Sequence, residues 1–355
     1  MSTRYLYNSK ILMALFAVVL LFLTPIKLMS QDVKQTEEKM MRQADENIEK
    51  YRKGDVSIQF LAPDGKPLMN ATVEIRQKTH DFPFGCIIFD LIRGENPYRP
   101  ELFKERFKRI FNLAVFPFYW PGYESRQGFT QWEAMLPIID WCKLNGITTK
   151  GHPLVWATQS GIPQWLSEYN VNETEELLKT RVLNITSGFR DKIELWDVVN
   201  EPIHVRTWKN KIMNFNDEND WDVSESIPLV ADYVEDALKW AKQGNPEATL
   251  LINEYRTLAD ESSRKSYELL LIELKKRNAP LAGIGIQAHE PRQEWFSPKE
   301  VWKTFDLYWG MGFPIHITEY HPQSSGVPIT GVWRSGSWTP EAQVESTEQF
   351  VKLCY

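Results

Sequence analysis

The spacing of apolar positions changes several times along this chain. Ile11–Leu23 is an unbroken run of thirteen apolar residues, preceded by Arg4 and Lys10 and broken by Thr24-Pro25. A charged start, an apolar stretch and the small residue at Leu28-Met29-Ser30 read together as a signal peptide over residues 1–30. The run is shorter than the roughly 20 residues that a spanning helix needs. Residues 31–54 are polar and charge-rich, as in a helix or linker. In residues 55–80 two alternating runs flank Pro63-Asp64-Gly65, the pattern of a small β-hairpin appendage.

From residue 81 onward short apolar runs alternate with helical spacing. The strand candidates are FGCIIF (84–89), LAVFPF (113–118), TTKGHPLVW (148–156), IELWDVVNE (193–201), ATLLINEY (248–255), AGIGIQAHE (282–290) and FPIHITEY (313–320). Between them, residues 100–111, 132–146, 173–190, 229–246, 264–280 and 299–312 carry apolar positions at helical intervals, and a last helix covers about 340–353. Strands that alternate with helices predict a parallel sheet, and this number of units suits a (β/α)8 TIM barrel over residues 81–355. A doubly wound open sheet is the rival, but no Gly-rich turn follows the first strand. No eighth strand follows the last helix, so the expectation is an incomplete barrel from a longer gene product.

The strand ends carry the chemistry. The third run ends in His152 and Trp156, the fourth in Asn200 and Glu201, and the fifth in Asn253, Glu254 and Tyr255. The sixth ends in Gln287 and His289, and the seventh in Glu319 and Tyr320. A lone glutamate at a strand end is ordinarily a residue that meets water. Five ends in register, all rich in acids, amides and imidazoles, fit the rim where barrels place their active sites. Two glutamates on opposite walls of one mouth suit glycoside hydrolysis. One carboxyl stays protonated for the leaving oxygen, and the other is ionised for attack.

Composition narrows this further. The chain has 355 residues with 43% hydrophobic and 25% charged content, ordinary for a globular enzyme. Its 14 Trp and 13 Tyr fit sugar-stacking surfaces as well as a large aromatic core. Net charge is −6 and no basic patch occurs, which argues against a nucleic-acid partner. Three cysteines make no disulfide framework and have no metal-site spacing. His152 and His289 lie beside amides and Trp rather than clustered acids, which disfavours metal catalysis. Asn70, Asn172 and Asn184 each open an Asn-x-Thr glycosylation pattern.

GHPLVW, WDVVNEP, INEY, GIGIQAH and HITEY, in that order, resemble the motifs of family-10 glycoside hydrolases, the endo-β-1,4-xylanases. The resemblance covers about residues 80–355 and implies a retaining enzyme acting on xylan without a cofactor or metal. It implies Glu201 as acid/base and Glu319 as nucleophile. Asn200 would bond the sugar 2-hydroxyl, His289 would hold and tune the nucleophile beside Gln287, and His152 and Trp156 would line the site of the cleaved sugar. The implied protein is a monomer that is secreted, periplasmic or at the cell surface, with no stable membrane insertion after signal cleavage and a polysaccharide as its partner.

The departures concern the substrate. After the second strand the family has a Glu-Asn…Lys-Trp segment that grips sugar. Here the sequence is VFPFYWPGYESRQG, with Pro117-Phe118 in place of Glu-Asn, no lysine, and Trp120 and Glu124 as remaining candidates. Tyr255 is a further aromatic candidate for the sugar. Glu254 and Arg256 stand where the family favours Asp and Asn, and His321-Pro322 follow HITEY where Leu-Asp is usual. A catalytically silent carbohydrate-binding barrel and a barrel glycosidase acting on another β-glycan therefore stay open. Trp333 and Trp338 either cover the cleft or pack on the base of their own loop.

Overall fold

The computed structural model describes residues 33–93, 99–204 and 223–355. The signal-peptide expectation lies outside these residues. The chain divides into two compact units: one takes the chain up to Ala71 with Pro291–Lys303 and Pro322–Tyr355, and the other takes Thr72–Glu290 and Thr304–His321.

The larger unit is built on one parallel sheet. Its strands are β1 (Gly85–Ile87), β2 (Leu113–Pro117), β3 (Thr148–His152), β4 (Val155–Trp156), β5 (Leu195–Asn200), β6 (Thr249–Glu254), β7 (Gly283–Ile286) and β8 (Ile315–Ile317). They pair in the order β1-β2-β3-β5-β6-β7-β8, with the short β4 extending the third stave against β5. Seven staves thus follow in sequence order, as βα repetition requires. Among the described residues no ladder joins β1 to β8, so the sheet is a barrel lacking its closing strand. Burial follows this topology. Every residue of β5 is buried, whereas β1 is exposed throughout and Ile87 is 54% exposed.

The helices are α1 (33–51), α2 (Phe89–Arg93), α3 (Pro100–Ile110), α4 (Trp120–Tyr123), α5 (Trp132–Leu144), α6 (Val171–Gly188), α7 (Val223–Gly244), α8 (Glu261–Lys276), α9 (Pro298–Gly310) and α10 (Pro340–Cys354). None among the described residues is long and apolar enough to cross a membrane. Local chemistry sets several starts. Asn170 and Glu173 form a reciprocal capping box on α6, and the Asp260 side chain accepts the Ser263 N–H at the start of α8. Each cap satisfies a donor that the first helical turn leaves without a partner.

In residues 55–80 the chain turns back at Ala62–Lys66, and a single bridge joins Leu61 to Pro67. No strand forms there, and Val56, Ile58, Val73 and Ile75 remain exposed. The alternation is present, but these residues are given no apolar surface to cover.

The smaller unit has its own aromatic core. Trp295 stacks on Trp338 with ring centroids 5.3 Å apart, and Trp333 meets Trp295 edge-on at 6.1 Å. Trp338 is 1% exposed and donates its indole N–H to the Gln293 carbonyl. Both loop tryptophans thus pack within their own loop cluster. Glu37 of α1 accepts hydrogen bonds from the Ser297 hydroxyl and the Lys299 N–H.

Candidate active site

Because the strands are parallel, their C-terminal ends lie along one rim. The register places site residues side by side: Pro117 opposite His152, Trp156 opposite Asn200, and Asn200 opposite Asn253. The ladder continues past β7 and β8, where the Glu319 N–H donates to the Gln287 carbonyl.

Glu201 follows β5 directly with φ 55°, a left-handed conformation for a residue that has a Cβ. Neighbours in a strand point to opposite faces. The left-handed turn breaks that alternation, so both Asn200 and Glu201 reach Gln287. Such a conformation costs on the order of 1–3 kcal/mol and persists only where the surroundings impose it. Here the Glu201 N–H is held by the Asn253 carbonyl at 2.7 Å. Buried Glu254 accepts the Ile203 N–H at 2.9 Å and approaches His204 Nδ1 at 2.7 Å.

A chain of side-chain hydrogen bonds joins the two candidate carboxyls. Trp156 Nε1 donates to Glu201 Oε2 at 2.8 Å, and Gln287 Nε2 donates to Glu201 Oε1 at 3.0 Å. Gln287 also donates to Asn200 Oδ1 at 3.2 Å, and Asn253 Nδ2 donates to the same oxygen at 2.8 Å. Asn253 Nδ2 donates in turn to Glu319 Oε1 at 2.7 Å, while its side-chain Oδ1 accepts from Thr318 Oγ1 at 2.7 Å. Asn200 Oδ1 thus takes two donors, and the other polar group of this side chain is its amide NH2. Gly285 makes room for this arrangement, since a Cβ there would stand 2.3 Å from Asn253 Oδ1.

The two carboxyls are driven apart electrostatically. Burial pushes Glu201 above the usual carboxylate range, helped by the charges of Glu254 and Glu319 and only partly offset by Gln287 and Trp156. Burial also raises Glu319, but His289, His152 and Asn253 outweigh it and hold this group below its ordinary value. His289 Nε2 lies 3.2 Å from Glu319 Oε2. Burial alone would lower this imidazole; the hydrogen bond to Glu319 and the nearby negative charges raise it instead. The result is one carboxyl biased to hold a proton and one biased to be ionised.

Behind this pair lies a buried charge cluster. His152 Nδ1 is 2.8 Å from Asp197 Oδ2, and Lys150 Nζ is 2.8 Å from the same oxygen. Burial would raise Asp197, but Lys150 and His152 pull it down to about 2. His152 Nε2 faces Tyr119 OH at 3.1 Å and Glu319 Oε1 at 3.8 Å.

The structure thus brings together Glu201, Glu319, His152, Trp156, Asn200, Gln287 and His289. Tyr255 stands at the edge of the group, its ring 4.1 Å from His204, its hydroxyl pushed up to about 12 by burial and by the charges of Glu201 and Glu254. Trp120 is not brought into the group. It is 4% exposed, bonds Glu124 at 2.9 Å and packs against Trp165 and Arg181. Asn253, Thr318, Asp197, Lys150 and Tyr119 take part although strand-end reading did not single them out for a role. Asn253 was visible as a strand-end amide, and Lys150 and Asp197 as charges inside apolar runs.

A parallel barrel sheet with an acid-biased and a base-biased carboxyl on its C-terminal rim defines a glycosidase-type site. The sequence profile of glycosyl hydrolase family 10 matches residues 83–355, and the chain belongs to that family. Endo-1,4-beta-xylanase 1 of Arabidopsis thaliana is 28% identical over 319 residues, covering 80% of this chain and 30% of that protein. Endo-1,4-beta-xylanase 2 of the same plant is 30% identical over 290 residues, covering 79% of this chain and 24% of that protein. The chain therefore spans about a quarter to a third of the length of these relatives. Native xylanase 10B from Thermotoga maritima shares the fold with a TM-score of 0.59 and 21% identity, over 76% of each chain.

Proposed function

We propose that this protein hydrolyses β-1,4-xylosidic bonds in xylan or a related plant polysaccharide, with retention of configuration. The observation that carries this reading is the opposed bias of Glu201 and Glu319 within one hydrogen-bonded chain of side chains. In the first step Glu319 attacks the anomeric carbon while Glu201 gives its proton to the departing glycosidic oxygen, leaving a glycosyl ester on Glu319. The ester carries no charge. One cause of Glu201's raised value is thereby removed, and Glu201, now a carboxylate, takes a proton from water as that water attacks. Asn200 turns its amide NH2 toward the sugar 2-hydroxyl. His289 and Asn253 hold Glu319 ionised and aimed, and Trp156 and Gln287 fix Glu201. Retention places the two carboxyls about 5–5.5 Å apart. Residues 1–30 act as a signal peptide in this reading, and the enzyme works outside the cytoplasm.

Proton NMR of xylo-oligosaccharide hydrolysis tests the reading. The β-anomer of the new reducing end appears first, and Glu319→Gln nearly abolishes release. An α-anomer as first product, or substantial turnover by the variant, overturns it.

A further inference from the structure

The chain leaves β5 through Glu201-Pro202-Ile203-His204, and the end of β6 holds this segment on both sides of the proline. Pro202 has no N–H to give, so the backbone donors around it are those of Glu201 and Ile203. The first goes to the Asn253 carbonyl at 2.7 Å and the second to Glu254 Oε2 at 2.9 Å. The His204 side chain turns back to the same carboxyl, with Nδ1 2.7 Å from Glu254 Oε1. Nothing in the local sequence favours the left-handed turn at Glu201, so these contacts from β6 are what hold it.

Glu254 is itself fixed. It ends β6, is 0% exposed, and its Oε1 also accepts the Tyr255 N–H at 2.9 Å. All three bonds are ones that a carboxylate accepts. The far side of the imidazole is fixed as well, with His204 Nε2 3.0 Å from Ser263 Oγ on α8. Among the described residues His204 is the basic side chain within ion-pair distance of Glu254. Burial raises the hydroxyls of Tyr233 on α7, Tyr255, Tyr267 on α8 and Tyr308 on α9, and the charge of Glu254 adds to each. Around Glu201, burial is the largest cause of its raised value, Gln287 and Trp156 oppose it, and the charges of Glu254 and Glu319 add to it. Glu319 gives up its charge on bonding the sugar, whereas Glu254 has no part in that bond and its charge is constant.

We propose that Glu254 is a positioning residue for the acid/base: its buried carboxylate ties the chain behind Glu201 to β6 and so aims Glu201 at the leaving oxygen. The proposal rests on the glycosidase reading above. The length of the side chain matters, because one carboxyl must meet its own strand end and two residues of the neighbouring segment at once.

The test compares the wild-type protein with Glu254→Asp and Glu254→Gln on phenyl and 2,4-dinitrophenyl β-xylobiosides, with thermal unfolding to check the fold. Phenolate needs a proton as it leaves and dinitrophenolate does not, so the ratio of kcat/KM on the two reads the acid alone. Glu254→Asp keeps the charge and shortens the clamp. Its kcat/KM falls roughly ten- to a hundredfold on the phenyl substrate, as a small misplacement of a reacting group costs, and stays close to wild type on the dinitrophenyl one. Glu254→Gln removes the charge, which favours ionised Glu201. The alkaline limb of its kcat/KM profile on the phenyl substrate therefore moves to lower pH by about half a unit or more, while Glu254→Asp leaves that limb in place. Equal losses on both substrates refute the proposal, because Glu254 would then only support the fold. An unmoved alkaline limb in folded Glu254→Gln refutes it too. If Glu254→Gln does not fold, the leaving-group ratio of Glu254→Asp decides alone. Each of these results leaves the glycosidase reading intact, whereas absence of release from either substrate by the wild-type protein removes both.

Discussion

Asn253→Ala probes the link between the two carboxyls. Asn253 is fully buried, and its amide donates to both Asn200 Oδ1 and Glu319 Oε1. A hydrogen bond to a charged group is worth about 1.5–3 kcal/mol. If that bond is present when Glu319 attacks, its loss reduces kcat/KM roughly ten- to a hundredfold, at about 1.4 kcal/mol per factor of ten. The direction in pH follows from the same bond. Removing a donor from a carboxylate disfavours its charged form, so Glu319 titrates higher and the acidic limb of the kcat/KM profile moves to higher pH. The alkaline limb, set by Glu201, stays nearly in place because Gln287 and Trp156 still hold that carboxyl. Stability falls as well, by about 1–3 kcal/mol, since Thr318 Oγ1 loses its buried acceptor. The assay is a full pH profile of kcat/KM on an aryl xylobioside, with thermal unfolding as control. An acidic limb that does not move while the protein stays folded refutes the assignment of Asn253 as a support of the ionised nucleophile.

Three further substitutions give directional outcomes. Trp156→Phe removes a donor from Glu201, so that group titrates higher; the alkaline limb of the pH profile should move to higher pH, read from the same kinetics. Lys150→Met leaves Asp197 buried beside His152 without its lysine and should cost about 3–5 kcal/mol in denaturant unfolding. In the wild type Asp197 is held down to about 2 from an ordinary 3.8, so its contribution is complete above about pH 4 and lost as pH falls toward 2. The variant should show a smaller loss of stability over that window. Gly285→Ala puts a methyl where Asn253 Oδ1 stands, and should lower kcat/KM by an amount close to that of Asn253→Ala, with an overpacking cost of about 1–3 kcal/mol.

The sequence pattern reached the sheet because period and strand order are local properties. The runs ending in His152, Asn200, Asn253, Gln287 and Glu319 became neighbouring parallel strand ends. The two glutamates were legible for the same reason: each ends an apolar run. What lay beyond the pattern depends on which face of the chain turns inward. Of Phe118, Tyr119 and Trp120, the substrate expectation fell on Trp120, yet the short helix at Trp120–Tyr123 buries that indole against Trp165 and leaves Tyr119 beside His152. Lys150 and Asp197 looked like interruptions of strands, and their pairing across β3 and β5 is a matter of register that no single run reveals. In residues 55–80 the alternation resembled a hairpin, but alternation needs a surface to cover before it yields strands.

The central claim is that Glu319 forms a covalent bond to the sugar. It is tested most directly by incubating the protein with a 2-deoxy-2-fluoro-β-xylobioside bearing a good leaving group, then locating the adduct by peptide mass spectrometry. The fluorine slows both steps, and the leaving group restores the first, so the intermediate accumulates. A single glycosyl adduct on Glu319, with parallel loss of activity, is the expected result. An adduct on another residue, or turnover of the unfluorinated substrate with no adduct at all, would contradict it.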